Sequence, residues 1–286
     1  MTLENIIQIA EHITPAESAI GTYVLENLES IPQISIAELA YRTNVSKSAV
    51  HRFCKKLGFS GFNQLRIAAA KDLAEARPNM ELIDVNYPFS ADDGPQTIAK
   101  KLEQLYESAI QETYDYLDFI EVQRVARMLN KATSIDIYTH AHNMNAAENF
   151  QDKMLTIGKT VNCPKGFYNQ RATVLASNPG RIAVILSYSG RASFIRPIIQ
   201  ALFRKSIPII LIGKAGSNLY PQFIAHALCI SSKENLRDRI SQFSSHIAMQ
   251  YILDVIFGCI YNLNRDQNIA YLKSSLDFID DRELEK

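Results

Sequence analysis

Residues 34–66 read Ile34-Ser-Ile-Ala-Glu-Leu-Ala-Tyr-Arg-Thr-Asn-Val-Ser-Lys-Ser-Ala-Val-His-Arg-Phe-Cys-Lys-Lys-Leu-Gly-Phe-Ser-Gly-Phe-Asn-Gln-Leu-Arg66. The spacing predicts a short helix over 36–41, a tight turn over 42–45 and a second helix over 46–57. Val45, Ala49, Phe53 and Leu57 recur at every fourth position and form an apolar stripe. Lys47, Ser48, His51, Arg52 and Lys55 lie off that stripe. Ser46 is a good N-cap and Gly58 a good C-terminal stop. A short helix packed behind a basic, hydrogen-bonding helix is the arrangement that enters a DNA major groove.

The charge distribution agrees. The whole chain balances 30 basic against 30 acidic residues, so any patch on it is local. Between Leu39 and Lys71 stand Arg42, Lys47, Arg52, Lys55, Lys56, Arg66 and Lys71, with no Asp or Glu. Phosphates attract such a run whatever the base sequence. Ser48, His51 and Arg52 are the side chains to place on base edges. Lys47, Lys55 and Lys56 suit phosphates, and Ser46 opens the helix beside them. The partner these residues predict is a double-stranded DNA operator.

At 286 residues the chain is long enough for two domains, and 47% hydrophobic residues suffice for a full core. The longest apolar run is too short for a bilayer, and no basic segment precedes an apolar one at the N-terminus. Cys54, Cys163, Cys229 and Cys259 are far apart, with no CxxC pair, which predicts reduced thiols in a cytoplasmic protein. No cofactor is called for.

Residues 1–77 read as all helix, including a capping box at Thr14-Pro-Ala-Glu17. Residues 78–96, rich in Pro, Asn and Asp, read as a linker. Residues 97–286 open with helices over 97–117 and 122–130. Apolar strands over 134–138, 159–163, 181–186, 207–212 and 227–230 then alternate with helices over 143–157, 192–205 and 238–263. The fold class expected is an all-α helix-turn-helix domain followed by an α/β domain, its parallel sheet covered by helices on both faces.

Ser187-Tyr-Ser-Gly190 follows a buried strand and precedes a helix. That position presents two hydroxyls and free backbone N–H groups at a helix N-terminus, a setting for anions. Gly190 allows close approach and Arg191 adds charge. The same turn also reads as a plain strand-to-helix connection with Ser as cap.

Taken together, these stretches resemble the RpiR/MurR family of bacterial transcriptional regulators, which join a helix-turn-helix domain to a SIS (sugar isomerase) domain. The resemblance rests on residues 45–62, on Ile185-Leu-Ser-Tyr-Ser-Gly190, and on residues 235–245 ahead of the last long helix. It implies DNA binding controlled by a phosphorylated sugar, in a homodimer or homotetramer built through the SIS domains, and regulation of carbohydrate metabolism genes rather than catalysis. By position it carries the ligand-binding role to Ser187 and Ser189 and, less closely, to Asn143; Gly190, Arg191 and Ser193 join them as ligand-binding candidates from the loop itself, and Glu234 as a pocket-rim or cap residue. The chain departs from the family after its first strand. Thr139 and Ala141 stand where glycines are usual, and Asn143 where a Ser is. Arg191-Ala192 replaces Glu-Thr. These changes imply an altered pocket. His140 and His142 read as ligand contacts or packing residues, with too few neighbours for a metal site. The alternative reading is an aldose–ketose phosphate isomerase, for which Glu234, His140 and His142 offer a base but leave residues 46–57 without a purpose.

Overall fold

The computed structural model describes residues 2–10, 13–75 and 83–279. Tertiary contacts divide the chain into two compact units, Met1–Ile83 and Asp84–Lys286.

The first unit carries helices α1 (Leu3–Ile9), α2 (Pro15–Glu26), α3 (Ile36–Arg42), α4 (Lys47–Lys56) and α5 (Phe62–Glu75). Its helix starts are chemically marked. Thr14 and Glu17 form a reciprocal capping box with Pro15 in the first turn, and Ser35 and Ser46 cap α3 and α4. Helices α3 and α4 end in the same motif. After α3, the Val45 N–H donates to the Ala40 carbonyl at 2.9 Å. Asn44 takes a left-handed φ of 53° there. After α4, the Phe59 N–H reaches the Cys54 carbonyl at 2.9 Å. Gly58 turns the chain at φ 85°. The stripe read from the sequence is correct but narrow. Val50 and Cys54 are buried beside Ala49 and Phe53, against Ile20, Val24, Leu39 and Leu65.

One ion pair ties α4 to α2. Lys56 Nζ lies 2.7 Å from Glu17 Oε2. That bond, with the Thr14 backbone N–H on the same carboxylate, lowers the Glu17 pKa from an ordinary 4.5 to about 2.

The second unit opens with α6 (Pro95–Tyr116) and α7 (Phe119–Lys131), followed by β1 (Ser134–Tyr138), α8 (Asn143–Leu155), β2 (Val161–Asn162), α9 (Gly166–Ala176), β3 (Arg181–Leu186), α10 (Ile195–Arg204), β4 (Ile209–Lys214), β5 (His226–Ile230), α11 (Ser244–Leu263) and α12 (Arg265–Ile279). The strands form one parallel sheet in the order β2-β1-β3-β4-β5. Alternate side chains supply two cores. Ile135, Ile137, Val184, Leu186, Ile210 and Ile212 face the cluster shared with α7, α8 and α11. Ala183, Ile185, Ile209 and Leu211 face the cluster shared with α10. Both faces are therefore covered, as the continuous apolar strands predicted. Buried Asp136 on β1 pins three strands. It accepts from Asn162 of β2 at 3.2 Å and from Arg181 of β3 at 3.0 Å.

Some expectations are revised. Helices α9 and α12 were not anticipated. In α9 only Gln170 and Val174 are buried, so no apolar period marks it. The last long helix starts at Ser244 rather than Asp238, and α10 starts at Ile195 rather than Ala192. In both cases the residues ahead of the helix form a loop instead. Helix α11 is long and apolar enough to cross a membrane by length and composition, unlike any run read from the sequence. Here Ala248, Met249, Ile252, Leu253, Ile256 and Ile260 lie in the core. Of the segment read as a linker, residues 78–82 fall outside the described residues. Residues 84–90 do not hang free but bond to the loop over 235–240.

Two outcomes are expected. Glu17 has a folded pKa below its ordinary value, so its contribution to stability is present above about pH 4.5 and is lost as the pH falls toward about 2. Acid unfolding of Glu17→Gln, followed by circular dichroism, should lose part of this dependence and start from a lower stability at pH 7. Ala141, in the turn after β1, adopts a left-handed φ of 52°. Ala141→Gly should stabilise the second unit by about 1 kcal/mol in urea unfolding, by relieving the Cβ clash of that conformation.

Candidate functional site

The exposed face of α4 is the first candidate. Lys47, Ser48, His51, Arg52 and Lys55 are all exposed. The structure thins the predicted basic run and concentrates it. Arg42 is held by Glu38 at 2.7 Å and by the Tyr23 hydroxyl. Arg66 donates to the Pro32 carbonyl. Lys56, read as a phosphate contact, is instead paired with Glu17. Lys47, Arg52 and Lys55 remain as the cations of the outer face. Ser46 spends its hydroxyl on the Ala49 N–H at 3.1 Å, so its part is to start the helix. The His51 ring packs against Gly61, where a Cβ would come to 3.3 Å of it.

The second candidate is a cleft of about 340 Å³ at the carboxyl ends of β1 and β3. Strand β1 lies between β2 and β3, so the chain leaves β1 and β3 in opposite directions across the sheet. The gap between their loops is where open α/β sheets take ligands. His140, Ala141, His142 and Asn143 line it from the first loop, and Ser187, Tyr188, Ser189, Arg191 and Ala192 from the second. Leu236, Arg239, Gln242 and Ser245 close it from the segment between β5 and α11.

Its chemistry suits an anion. No Asp or Glu is among the lining residues. Asn143 opens α8, whose first turn has no side-chain cap, whereas the Ser245 N–H in the first turn of α11 is taken by the Glu234 carboxylate. Among the described residues, the N–H groups of Ser189, Gly190 and Ala192 donate to no backbone carbonyl. Unpaired N–H groups and helix dipoles together favour negative charge. Gly190 has φ 68°, and a Cβ there would run into the Ser217 carbonyl. Only glycine fits the loop at that point. Thr139, standing where a glycine was expected, ties the two loops. Its buried hydroxyl donates to the Leu186 carbonyl at 2.9 Å.

The transferred residues separate into two groups. Ser187, Ser189, Arg191 and Asn143 line the cleft, and Gly190 shapes its loop. Ser193 is exposed and is not in the lining. Glu234 is buried behind the wall rather than set on the rim, and it caps the start of α11. Its carboxylate accepts from the Ser245 N–H at 2.6 Å, from the Ser245 hydroxyl at 2.9 Å and from Arg239. Its backbone is held by the Tyr188 hydroxyl, at 3.0 Å from its N–H and 3.1 Å from its carbonyl. Burial lowers the Arg239 pKa from its ordinary value. His140 and His142 lie in the loop between β1 and α8, and the His140 ring stands 5.2 Å from that of Phe194. Arg239, Gln242 and Ser245 were not singled out from the sequence. They belong to an irregular segment, where no period tells which residues turn inward.

Comparison with known proteins agrees with this architecture. Residues 1–76 match the model of the helix-turn-helix domain, rpiR family. A relative from Caldanaerobacter subterraneus subsp. tengcongensis, described as an uncharacterized HTH-type transcriptional regulator, is 26% identical over 283 residues. The match covers 98% of this chain and 97% of the relative. The Vibrio vulnificus NanR protein, solved with ManNAc-6P, aligns with a TM-score of 0.58 at 16% identity, covering 96% of this chain and 97% of that one. The sugar isomerase domain of an RpiR transcription factor from Sphaerobacter thermophilus aligns at 0.56 and 10% identity, covering 64% of this chain and 100% of that one. At these identities the structural matches speak for the fold. Residues 1–76 are thus a helix-turn-helix domain of the rpiR type, and the α/β domain shares the fold of the sugar isomerase domain.

Proposed function

We propose that the protein is a cytoplasmic transcription factor that binds a double-stranded DNA operator through α4 and is controlled by a phosphorylated sugar in the β1/β3 cleft. Residues 1–77 serve as the DNA-binding domain, and the SIS domain binds the effector and assembles a homodimer or homotetramer. One recognition helix reads only a few base pairs, so two half-sites and a symmetric assembly are needed for specificity. The observation that carries the effector reading is the acid-free cleft with its free N–H groups at Ser189, Gly190 and Ala192. Phosphate fits the Ser187–Gly190 loop, and Arg191, Asn143 and Gln242 are placed to hold hydroxyls or a second anionic group. A fold relative, NanR, was solved with ManNAc-6P, which makes amino-sugar phosphates a natural first panel.

The arrangement favours a regulator over an isomerase. Isomerisation requires a general base free to take a proton beside the bound carbonyl. Of the candidate bases, Glu234 has its oxygens already engaged by Ser245 and Arg239, which leaves His140 and His142 of the lining for an isomerase to use. For the effector to act, it must bind the DNA-competent and incompetent states unequally.

The test is fluorescence anisotropy with DNA from upstream of the gene and its neighbours, at two salt concentrations, with and without hexose and amino-sugar phosphates. Salt-sensitive, sequence-specific binding altered by one sugar phosphate is the expected result. Absence of specific binding overturns the proposal and points to an isomerase assay. Arg52→Ala should weaken operator binding by about 1–3 kcal/mol and relax base preference. An equal loss on all sequences would make Arg52 a phosphate contact. Ser189→Ala should leave DNA binding without effector unchanged and abolish the response to the sugar phosphate.

A further inference from the structure

The third wall of the cleft is an irregular segment, residues 231–243, between β5 and α11. It is fastened at three places. At its start, the Ser231 hydroxyl donates to buried Glu112 of α6 at 2.6 Å. In the middle, Glu234 is bonded to the Tyr188 hydroxyl, Arg239 and Ser245, which connects it to the Ser187–Gly190 loop. The third fastening is to residues 84–90, the segment through which the chain arrives from the DNA-binding unit. The Asn235 N–H donates to Asn86 Oδ1 at 2.7 Å. The Ile240 N–H donates to the Asn86 carbonyl at 3.0 Å. The Tyr87 hydroxyl donates to Asp238 at 2.5 Å. The Phe89 ring meets Phe243 edge-on at 5.7 Å. Asn86 itself is held in shape by Asp84, which accepts its N–H at 2.8 Å.

These bonds bracket the residues that face the cleft. Leu236, Arg239 and Gln242 line it, while Asn235, Asp238, Ile240 and Phe243 between them hold residues 86–89. One short stretch thus presents one set of side chains to the ligand and its alternate backbone and side-chain groups to the incoming chain. A ligand that draws Arg239 or Gln242 toward the phosphate loop shifts the same stretch that positions Asn86 and Tyr87. Such a stretch has no helix or sheet to resist displacement, a property expected of elements that move on binding.

We infer that Asn86 and Tyr87 are positioning residues of the effector cleft and its output: they hold loop 231–243 in place, and its rearrangement on ligand binding is passed through them to the chain entering the DNA-binding unit. The inference rests on the cleft being the effector site. By linkage, whatever the ligand does to residues 84–90, fixing or freeing those residues must do to the ligand.

Hydrogen–deuterium exchange on the full-length protein tests this, with inorganic phosphate against chloride at equal ionic strength as the probe. Wild type is compared with Asn86→Ala, Asn86→Asp and Tyr87→Phe. In wild type, phosphate should alter exchange at 187–193, 235–243 and 84–90 together. In Asn86→Ala, exchange at 235–243 should rise by about tenfold even in chloride, from the lost hydrogen bond and the loosened backbone beside it. Phosphate should then still alter 187–193 but no longer 84–90. Asn86→Asp keeps the acceptor for the Asn235 N–H and should behave as wild type, which a merely destabilised fold would not explain. Tyr87→Phe should reproduce the uncoupling in weaker form. A phosphate effect at 187–193 with none at 84–90 in wild type, or an Asn86→Ala response equal to wild type, overturns the inference and leaves the cleft reading intact. No phosphate effect at 187–193 in any protein overturns the cleft reading and this inference with it.

Discussion

The parallel pairing of β1 with β3 is the constraint on which the second unit depends. It places β1 between two neighbours reached by crossovers in opposite senses, so the loops leaving β1 and β3 diverge and a gap opens between them. Asp136 makes that pairing specific. It is buried, it takes hydrogen bonds from β2 and β3, and burial opposes these partners by raising its pKa. The candidate cleft of the unit follows from this gap. The hydroxyl of Thr139 bridges its two sides, the Ser187–Gly190 loop supplies one wall, and helices α8 and α11 aim their first turns at it. The same geometry explains why glycine is required at Gly190, where the loop presses on the Ser217 carbonyl.

In the first unit, the deciding question is how each cation is used. Arg42, Lys56 and Arg66 hold helices and turns together, through Glu38, Glu17 and the Pro32 carbonyl. A guanidinium or ammonium already hydrogen-bonded to a protein partner has less to offer a phosphate, since it must first give up that partner. Lys47, Arg52 and Lys55 project from one face of α4 beside Ser48 and His51. The result is a smaller basic surface than the sequence suggested, but one confined to a single helix face, which is the shape a major groove requires.

Cys54 and Cys163 are pushed up to about 11 and about 12 by burial, which keeps them as unreactive thiols.

Local chemistry made the helix-turn-helix legible. Caps, a left-handed Asn44 and Gly58, and a four-residue apolar period are all short-range signals, so they appear directly in the residues that form them. The parallel sheet was legible for a related reason: a strand buried on both faces must be apolar at every position. The cleft was only half legible. Ser187, Ser189, Asn143 and Arg191 are marked by position at strand ends, but Arg239, Gln242 and Ser245 come from a segment without period, and Glu234 looked like a pocket residue until its oxygens were seen to be occupied. The sequence by itself determined the two fold types, the capped basic helix α4 and the Ser187–Gly190 loop after β3, because hydrogen bonding and burial within a few residues suffice to specify them. That Lys56 and Arg66 are engaged, which wall closes the cleft, and that residues 84–90 are clamped to that wall were decided only by tertiary structure, because each depends on partners dozens to more than a hundred residues away whose pairing no local pattern encodes.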